Sequence, residues 1–196
     1  GLKVYGEGEW KTRQHGWTQR RTWRKLHLGI DADAGEITAE TLTEAGTDDA
    51  SQVKELLAQT PGHVARFYGD GAYDRWKVHY PLAYPSGQDD PIESVIPPRR
   101  DAQIRKAKRH YRHIEARNQR VQDIDHKGRK RWKRESGYHR RSLAETGMFR
   151  FKVILGSKLQ ARSWEGQQVE ARIGCAILNR MIHLGKPQAY KVEVDN

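Results

Sequence analysis

Apolar positions recur in two rhythms along this chain. From Trp23 to Ile30 they alternate, with Arg24, Leu26, Leu28 and Ile30 on one side of an extended backbone and Trp23, Lys25, His27 and Gly29 on the other. That spacing predicts a strand with Leu26, Leu28 and Ile30 on its buried face. Asp33-Ala34-Gly35 is turn chemistry, and Ile37 to Leu42 returns as a second strand, so the unit is a hairpin. Ahead of it, Leu2-Lys3-Val4-Tyr5 reads as the end of a strand and Gly6 to Trp17 as a loop or ragged hairpin. Beyond it, Asp48 or Asp49 is placed to cap a short helix through Leu57, with Val53, Leu56 and Leu57 on one side. Val64 to Tyr68 is a short buried-type strand that runs out at Gly69-Asp70-Gly71. Ser94-Val95-Ile96 is a last strand, ended by Pro97-Pro98.

The second rhythm is helical. Ile104 to Gln122 predicts a basic helix, Gly128 interrupts the stretch after it, and Tyr138 to Leu155 is helical until Gly156 stops it. Val169, Ile173, Ile177, Met181 and Leu184 recur at helical spacing, with Gly185 and Pro187 closing that helix. Strands come first and helices last, with no internal repeat. The expected fold is α/β, a mixed sheet flanked by helices.

Composition changes the picture mainly through charge. A chain of 196 residues can bury a core without staples, and a mean hydropathy of -0.95 leaves no membrane span. The lone Cys175 excludes a disulfide framework and paired-cysteine zinc sites, fits a reducing cytoplasm, and is expected in the core. The chain opens at Gly1 with no initiator Met and no leader, so a partial gene product is expected. Net charge is +11, and it is focused: Pro97 to Arg141 holds 17 Lys or Arg against 5 Asp or Glu, while the rest is nearly balanced. A basic stripe of that kind points to a polyanion, nucleic acid first.

Candidate chemistry flanks this stripe. Asp70 stands at the C-terminal end of a predicted strand, where catalytic groups gather in helix-flanked sheets. On an α-helix, Tyr138, Arg141, Glu145 and Lys152 fall at roughly 0°, 300°, 340° and 320°, within one arc of about 60°. Taken alone, Arg141 and Glu145 are an exposed i, i+4 pair worth a few tenths of a kcal/mol. Gly147, costly inside a helix, hints at close approach by a neighbour.

Tyr138, Arg141, Glu145 and Lys152 resemble the tyrosine-arginine-glutamate-lysine signature of bacterial insertion-sequence DDE transposases. Gly1-Leu2-Lys3-Val4-Tyr5-Gly6, Trp23-Arg24-Lys25-Leu26-His27-Leu28, Asp70-Gly71-Ala72-Tyr73-Asp74, Ile96-Pro97-Pro98-Arg99 and Leu178-Asn179-Arg180-Met181 resemble the same family in the same order. The resemblance implies a ribonuclease H-like fold with a basic insertion, 97–141, before the catalytic-glutamate helix. It implies one catalytic domain over 1–190, a tail at 191–196, and a first strand cut short. Asp70 then matches the second triad aspartate and Glu145 the glutamate, together ligating magnesium, or manganese, in a two-metal site. Tyr138, Arg141 and Lys152, with Arg140 and Lys133, would grip double-stranded DNA at transposon ends and target. A homo-oligomer in the synaptic complex and a cytoplasmic protein working at the nucleoid are further implications. The family's first aspartate lies ahead of its Gly-Leu-Lys, so this chain is expected to be a C-terminal portion and to be weak or inactive alone. Asp31 is better read as a hairpin residue than as a substitute.

Other features weigh less. Asp74 is expected to cap a helix or face solvent, ahead of supporting the metal site. His110 and His113 are expected to face phosphate, and Trp10, Trp17 and Trp23 to pack the hairpin. Gly6-Glu7-Gly8-Glu9 is no nucleotide loop. Two other readings remain: a catalytically dead DNA-binding remnant of a transposase, and a basic RNA-binding protein.

Overall fold

The computed structural model describes residues 1–4, 23–106 and 109–185. The Gly6–Trp17 segment, with Trp10 and Trp17, and the tail from Pro187 onward lie outside the described residues. Strand β2 (Trp23–Ile30) pairs antiparallel with β3 (Ile37–Glu44), Leu26 opposite Leu42, with a register shift at Gly29/Ile30. Asp31 closes the hairpin as expected: its Oδ1 accepts from the backbone N–H groups of Asp33 and Ala34 at 2.8 and 2.6 Å. Strand β1 (Leu2–Val4) lies antiparallel to β2 and parallel to β6 (Lys158–Leu159), giving a mixed sheet in the order β3-β2-β1-β6. Strands β4 (Arg66–Tyr68) and β5 (Glu93–Val95) form a separate parallel pair, so the predicted strands divide between two sheets.

Helices cover both faces of the larger sheet. On one, Leu2, Leu26 and Leu42 meet Phe151 from α5 (Ser142–Ile154) and Ala171, Cys175 and Leu178 from α6 (Trp164–Leu184). On the other lies α1 (Val53–Gln59), whose Glu55 and Gln59 bond Thr41 of β3. This second layer corrects the alternation argument. His27, placed on the open face, is buried, with Nε2 2.7 Å from Thr43 Oγ1. A second core gathers Val53, Val78, Leu82, Ile92 and Ile96, joining α1 to α2 (Trp76–Ala83) and β5.

Two further expectations are corrected. Neither aspartate caps α1, which follows a one-turn 3-10 helix (Asp49–Ser51); Asp48 pairs with Arg75 and Lys77, and Asp49 with Lys25. The basic helix is α3 (Arg112–Lys127), starting eight residues later than predicted. The amide of Asn118 grips the backbone of Arg105 on both sides, N–H to Oδ1 at 2.9 Å and Nδ2 to the carbonyl at 2.8 Å, so that segment doubles back along the helix. On α6 the large apolar stripe faces outward: Val169, Ile173, Ile177 and Met181 are exposed. The buried stripe is Gln167, Ala171, Gly174, Cys175 and Leu178, because close packing selects small side chains. A Cβ on Gly174 would stand 2.7 Å from the Phe151 ring. No helix among the described residues is long and apolar enough to cross a membrane.

Candidate active site

Asp70 follows β4 and caps the one-turn 3-10 helix Gly71–Tyr73, its Oδ1 accepting from the Ala72 N–H at 2.8 Å. That bond occupies one oxygen and turns the exposed carboxylate outward at the strand's end. Tyr73 anchors the turn from below. Burial, with Asp49 and Asp70 nearby, pushes its phenol up to about 12, so it stays protonated.

Glu145 arrives from the other side of the basic segment. Gly137, at a φ of 68°, turns the chain after α4 (Arg129–Glu135) into the 3-10 helix Tyr138–Arg141, which runs directly into α5. The sequence predicted one continuous α-helix here. A 3-10 start brings residues three apart into register, at about 120° per residue, so Tyr138 and Arg141 eclipse and the signature arc narrows to about 40°. The Arg141 guanidinium accordingly lies over the Tyr138 ring, 5.6 Å from its centre. It also donates from Nη1 to Glu145 Oε1. That hydrogen bond raises the Arg141 pKa against partial burial, with help from Tyr138 and from the charge of Asp70. Arg141 is thus the group through which both carboxylates are felt. Glu145 keeps 66% of its side chain exposed.

The hint from Gly147 is answered by packing. It is buried where α5 crosses β2, and a Cβ there would lie 2.3 Å from Ile30 Cδ1 and 3.9 Å from Leu28 Cδ1. The missing side chain lets the signature helix settle onto the hairpin two residues beyond Glu145.

Four of the five predicted DNA-contacting residues come together around two tyrosines. Lys133 Nζ lies 4.7 Å from the centre of the Tyr138 ring, and Arg140 lies 5.9 Å from that of Tyr68, at the end of β4. Arg140 is partly committed within the fold, donating to Asp33 and to the Ala32 carbonyl of the hairpin turn. Lys152 stands apart, two turns along α5, beside the Gly1 amino group, whose pKa falls through burial and the Lys152 charge. Among the described residues no group of three or more His, Cys, Asp or Glu side chains is placed to hold a metal.

Sequence reasoning missed the network that braces Asp70. The Asp74 side chain is 2% exposed and accepts from Arg117 Nε and Nη2 at 2.8 and 3.1 Å, and from His79 at 2.8 Å. Burial would raise its pKa, but the bonds from His79 and Arg117 outweigh it and hold the carboxyl well below the usual range. Asp74 is therefore neither a cap nor solvent-facing; it ties the Asp70 turn to α3. The available signal was its place four residues after Asp70, beside a helix carrying Arg117 and Arg120. His113 also departs from expectation, buried at 3% exposure among aromatic rings, while exposed His110 bonds Glu115.

A family model described as a transposase DDE domain matches residues 1–180, and no solved structure matches the chain. The match spans Asp70, Glu145, the tyrosine-backed Arg141 and the hairpin on which α5 packs, and the chain belongs to the DDE transposase family.

Proposed function

We infer from membership in this family that the chain serves DNA transposition, carried out by enzymes that cleave DNA with divalent metal, generally magnesium. We propose that Asp70 and Glu145 are the metal-binding carboxylates of this chain and that the basic residues beside them hold double-stranded DNA. The observation that supports this reading is the pairing of Arg141 with Glu145, with the charge of Asp70 also acting on the Arg141 guanidinium.

The donor set suits the metal. Both groups are hard oxygen donors, both are exposed, and magnesium uses one or two carboxylates with water and substrate phosphate completing its shell. When bound, such ions activate a water or 3′-hydroxyl and stabilise the leaving oxygen. Arg141 must share or release Glu145 for this to happen. The cost is small, because an exposed i, i+4 pair is worth about 0.3–0.5 kcal/mol. Once released, the guanidinium offers a planar fork to a DNA phosphate, and the Tyr138 ring behind it limits where it swings. Lys133, Arg140 and Lys152 extend the positive surface on either side.

The antiparallel β1-β2-β3 arrangement with helices on both faces supports a ribonuclease H-like fold, with 97–141 as the basic insertion. Joining two transposon ends calls for a homo-oligomer. The test uses the full reading frame that encodes this chain, assayed for magnesium-dependent nicking of transposon-end duplex. Glu145→Gln and Asp70→Asn are each expected to reduce nicking to background while duplex binding persists. Nicking that survives Glu145→Gln would overturn the assignment.

A further inference from the structure

Helix α2 carries an aromatic side chain on each turn, Trp76 and Tyr80 within it and Tyr84 just past its last residue, at the i, i+4 spacing that puts them on one face. Tyr111 joins them from the residue before α3. The four are 49%, 50%, 39% and 41% exposed, although rings of this size dominate cores wherever a fold covers them. Ring centres along α2 follow one another at 5.9 and 5.1 Å. Behind them lies His113, 3% exposed, its ring centre 3.8, 5.7, 5.8 and 5.6 Å from those of Trp76, Tyr80, Tyr84 and Tyr111. One buried ring backs all four, and what each leaves exposed is its outer side. A contiguous apolar surface of this kind marks a binding site, whereas apolar side chains exposed singly do not.

Cations border the rings. Arg105 lines a hollow with Trp76 and His113, and Arg112 lines the neighbouring hollow with His113. Arg109 stands two residues ahead of Tyr111. Asn118 holds Arg105 through its backbone, and Arg105, Arg109 and Arg112 are all exposed. Among the described residues none of these three guanidinium groups is in an ion pair, whereas Arg117 beside them is spent on Asp74. Glu115, the carboxylate at this rim, is bonded to His110. Tyr68, Tyr138, Trp23 and Trp164 each have a cation over the ring, and among the described residues none lies over the four rings of this face. Open rings beside uncommitted positive charge are what unpaired nucleic acid requires, since bases stack on the rings while cations follow the backbone.

We propose that this face binds an unpaired DNA strand, its bases stacking on Trp76, Tyr80 and Tyr84 and its phosphates held by Arg105 and Arg112. A duplex cannot use the rings in this way, because its bases already stack on one another and offer only their edges in the grooves. An apolar protein partner would cover the rings but leave the cations without counter-charge. The ladder begins six residues after Asp70, and Asp74 between them ties that turn to α3, so the rings start beside the Asp70 turn. Strand binding here rests on the family's action on DNA, not on the metal-binding roles proposed for Asp70 and Glu145.

The experiment follows the fluorescence anisotropy of a labelled thymidine oligomer of about twelve nucleotides added to the full chain in EDTA, against an abasic oligomer with the same phosphates. The thymidine oligomer is expected to bind about a hundredfold more tightly than the abasic one. Trp76→Leu and Tyr80→Leu keep apolar cover over His113 and should each weaken thymidine binding about tenfold while abasic binding stays unchanged. Trp76→Phe and Tyr80→Phe retain a ring and should keep the native affinity for thymidine. Arg105→Gln and Arg112→Gln should each make the slope of log K against log salt shallower by about 0.7 with either oligomer. With no metal present, binding is read apart from nicking, and a failure of the carboxylate assignment leaves it untouched. Equal affinity for the two oligomers, Leu variants that bind thymidine as tightly as the native chain or that weaken both oligomers alike, or Phe variants no better than Leu would overturn the proposal.

Discussion

Asp74 shows how much one side chain of the Asp-Gly-Ala-Tyr-Asp box decides. Its carboxylate answers Arg117 in a nearly water-free setting, so replacing it leaves a buried cation unbalanced. Asp74→Asn is expected to lower unfolding free energy by about 3 kcal/mol, measured by urea titration at pH 7. The pH dependence has a definite sign. The folded pKa of Asp74 lies below the unfolded value of about 3.9, so its stabilisation is complete above pH 4 and is lost as pH falls through the folded value. His27, His79 and His113 act earlier: burial lowers each folded pKa, so stability begins to fall once pH drops below about 6.5. In Asp74→Asn the limb below pH 4 should flatten while the limb beginning near 6.5 remains; an unaltered acid limb would remove Asp74 from that role. Cys175 is a simpler case. Burial pushes its thiol up to about 12, so alkylation by iodoacetamide at pH 8 should be negligible in the native chain and rapid in urea.

At the scale of elements, the signature helix is positioned by what it lacks. Gly147→Ala puts a Cβ against the end of Ile30, and shifting that side chain is expected to cost about 1 kcal/mol beyond the gain in helix propensity. Ile30→Val removes the offending Cδ1, so the double variant should recover that loss; thermal melts of the four proteins give the coupling directly. Additive effects would show that the crossing of α5 and β2 is not set there. The hairpin was legible because one face alternates strictly and Asp31-Ala32-Asp33-Ala34-Gly35 permits few geometries. The roles proposed for Asp70 and Glu145 came from the family resemblance, not from periodicity. What escaped was whatever depends on a second layer. His27 looked exposed because nothing local announces that α1 covers it. On α6 the apolar spacing announced a helix but not which face packs, and Gly174 and Ala171 permit the closer approach. The start of α3 depends on Asn118 holding a segment thirteen residues upstream, and no window of sequence displays that contact.

Across the whole molecule, the positive excess is built into the fold rather than hung from it. Arg117 is spent on Asp74, Arg129 on the carbonyls of Pro98 and Arg99, and Arg131 and Lys127 on Glu135. A count of basic residues therefore overstates the contacts available to DNA. The cations of the signature face, Lys133 over Tyr138 and Lys152 two turns along α5, are the ones expected to meet phosphate. Each phosphate neutralised in duplex binding contributes about -0.9 to the slope of log K against log salt. Lys133→Ala and Lys152→Ala should each make that slope shallower by about one, and the double variant by about two, in titrations with an unrelated duplex. Lys25→Ala is the internal control. That ammonium is held by the Thr47 carbonyl at 2.7 Å and by Asp49 at 3.1 Å, beyond the signature face, and its loss should leave the slope unchanged. Unrelated duplex is the right probe because phosphate contacts carry no sequence, so the slope measures the grip alone. If Lys25→Ala moves the slope as much as Lys133→Ala does, binding is diffuse over the positive surface and the signature face has no special claim on DNA.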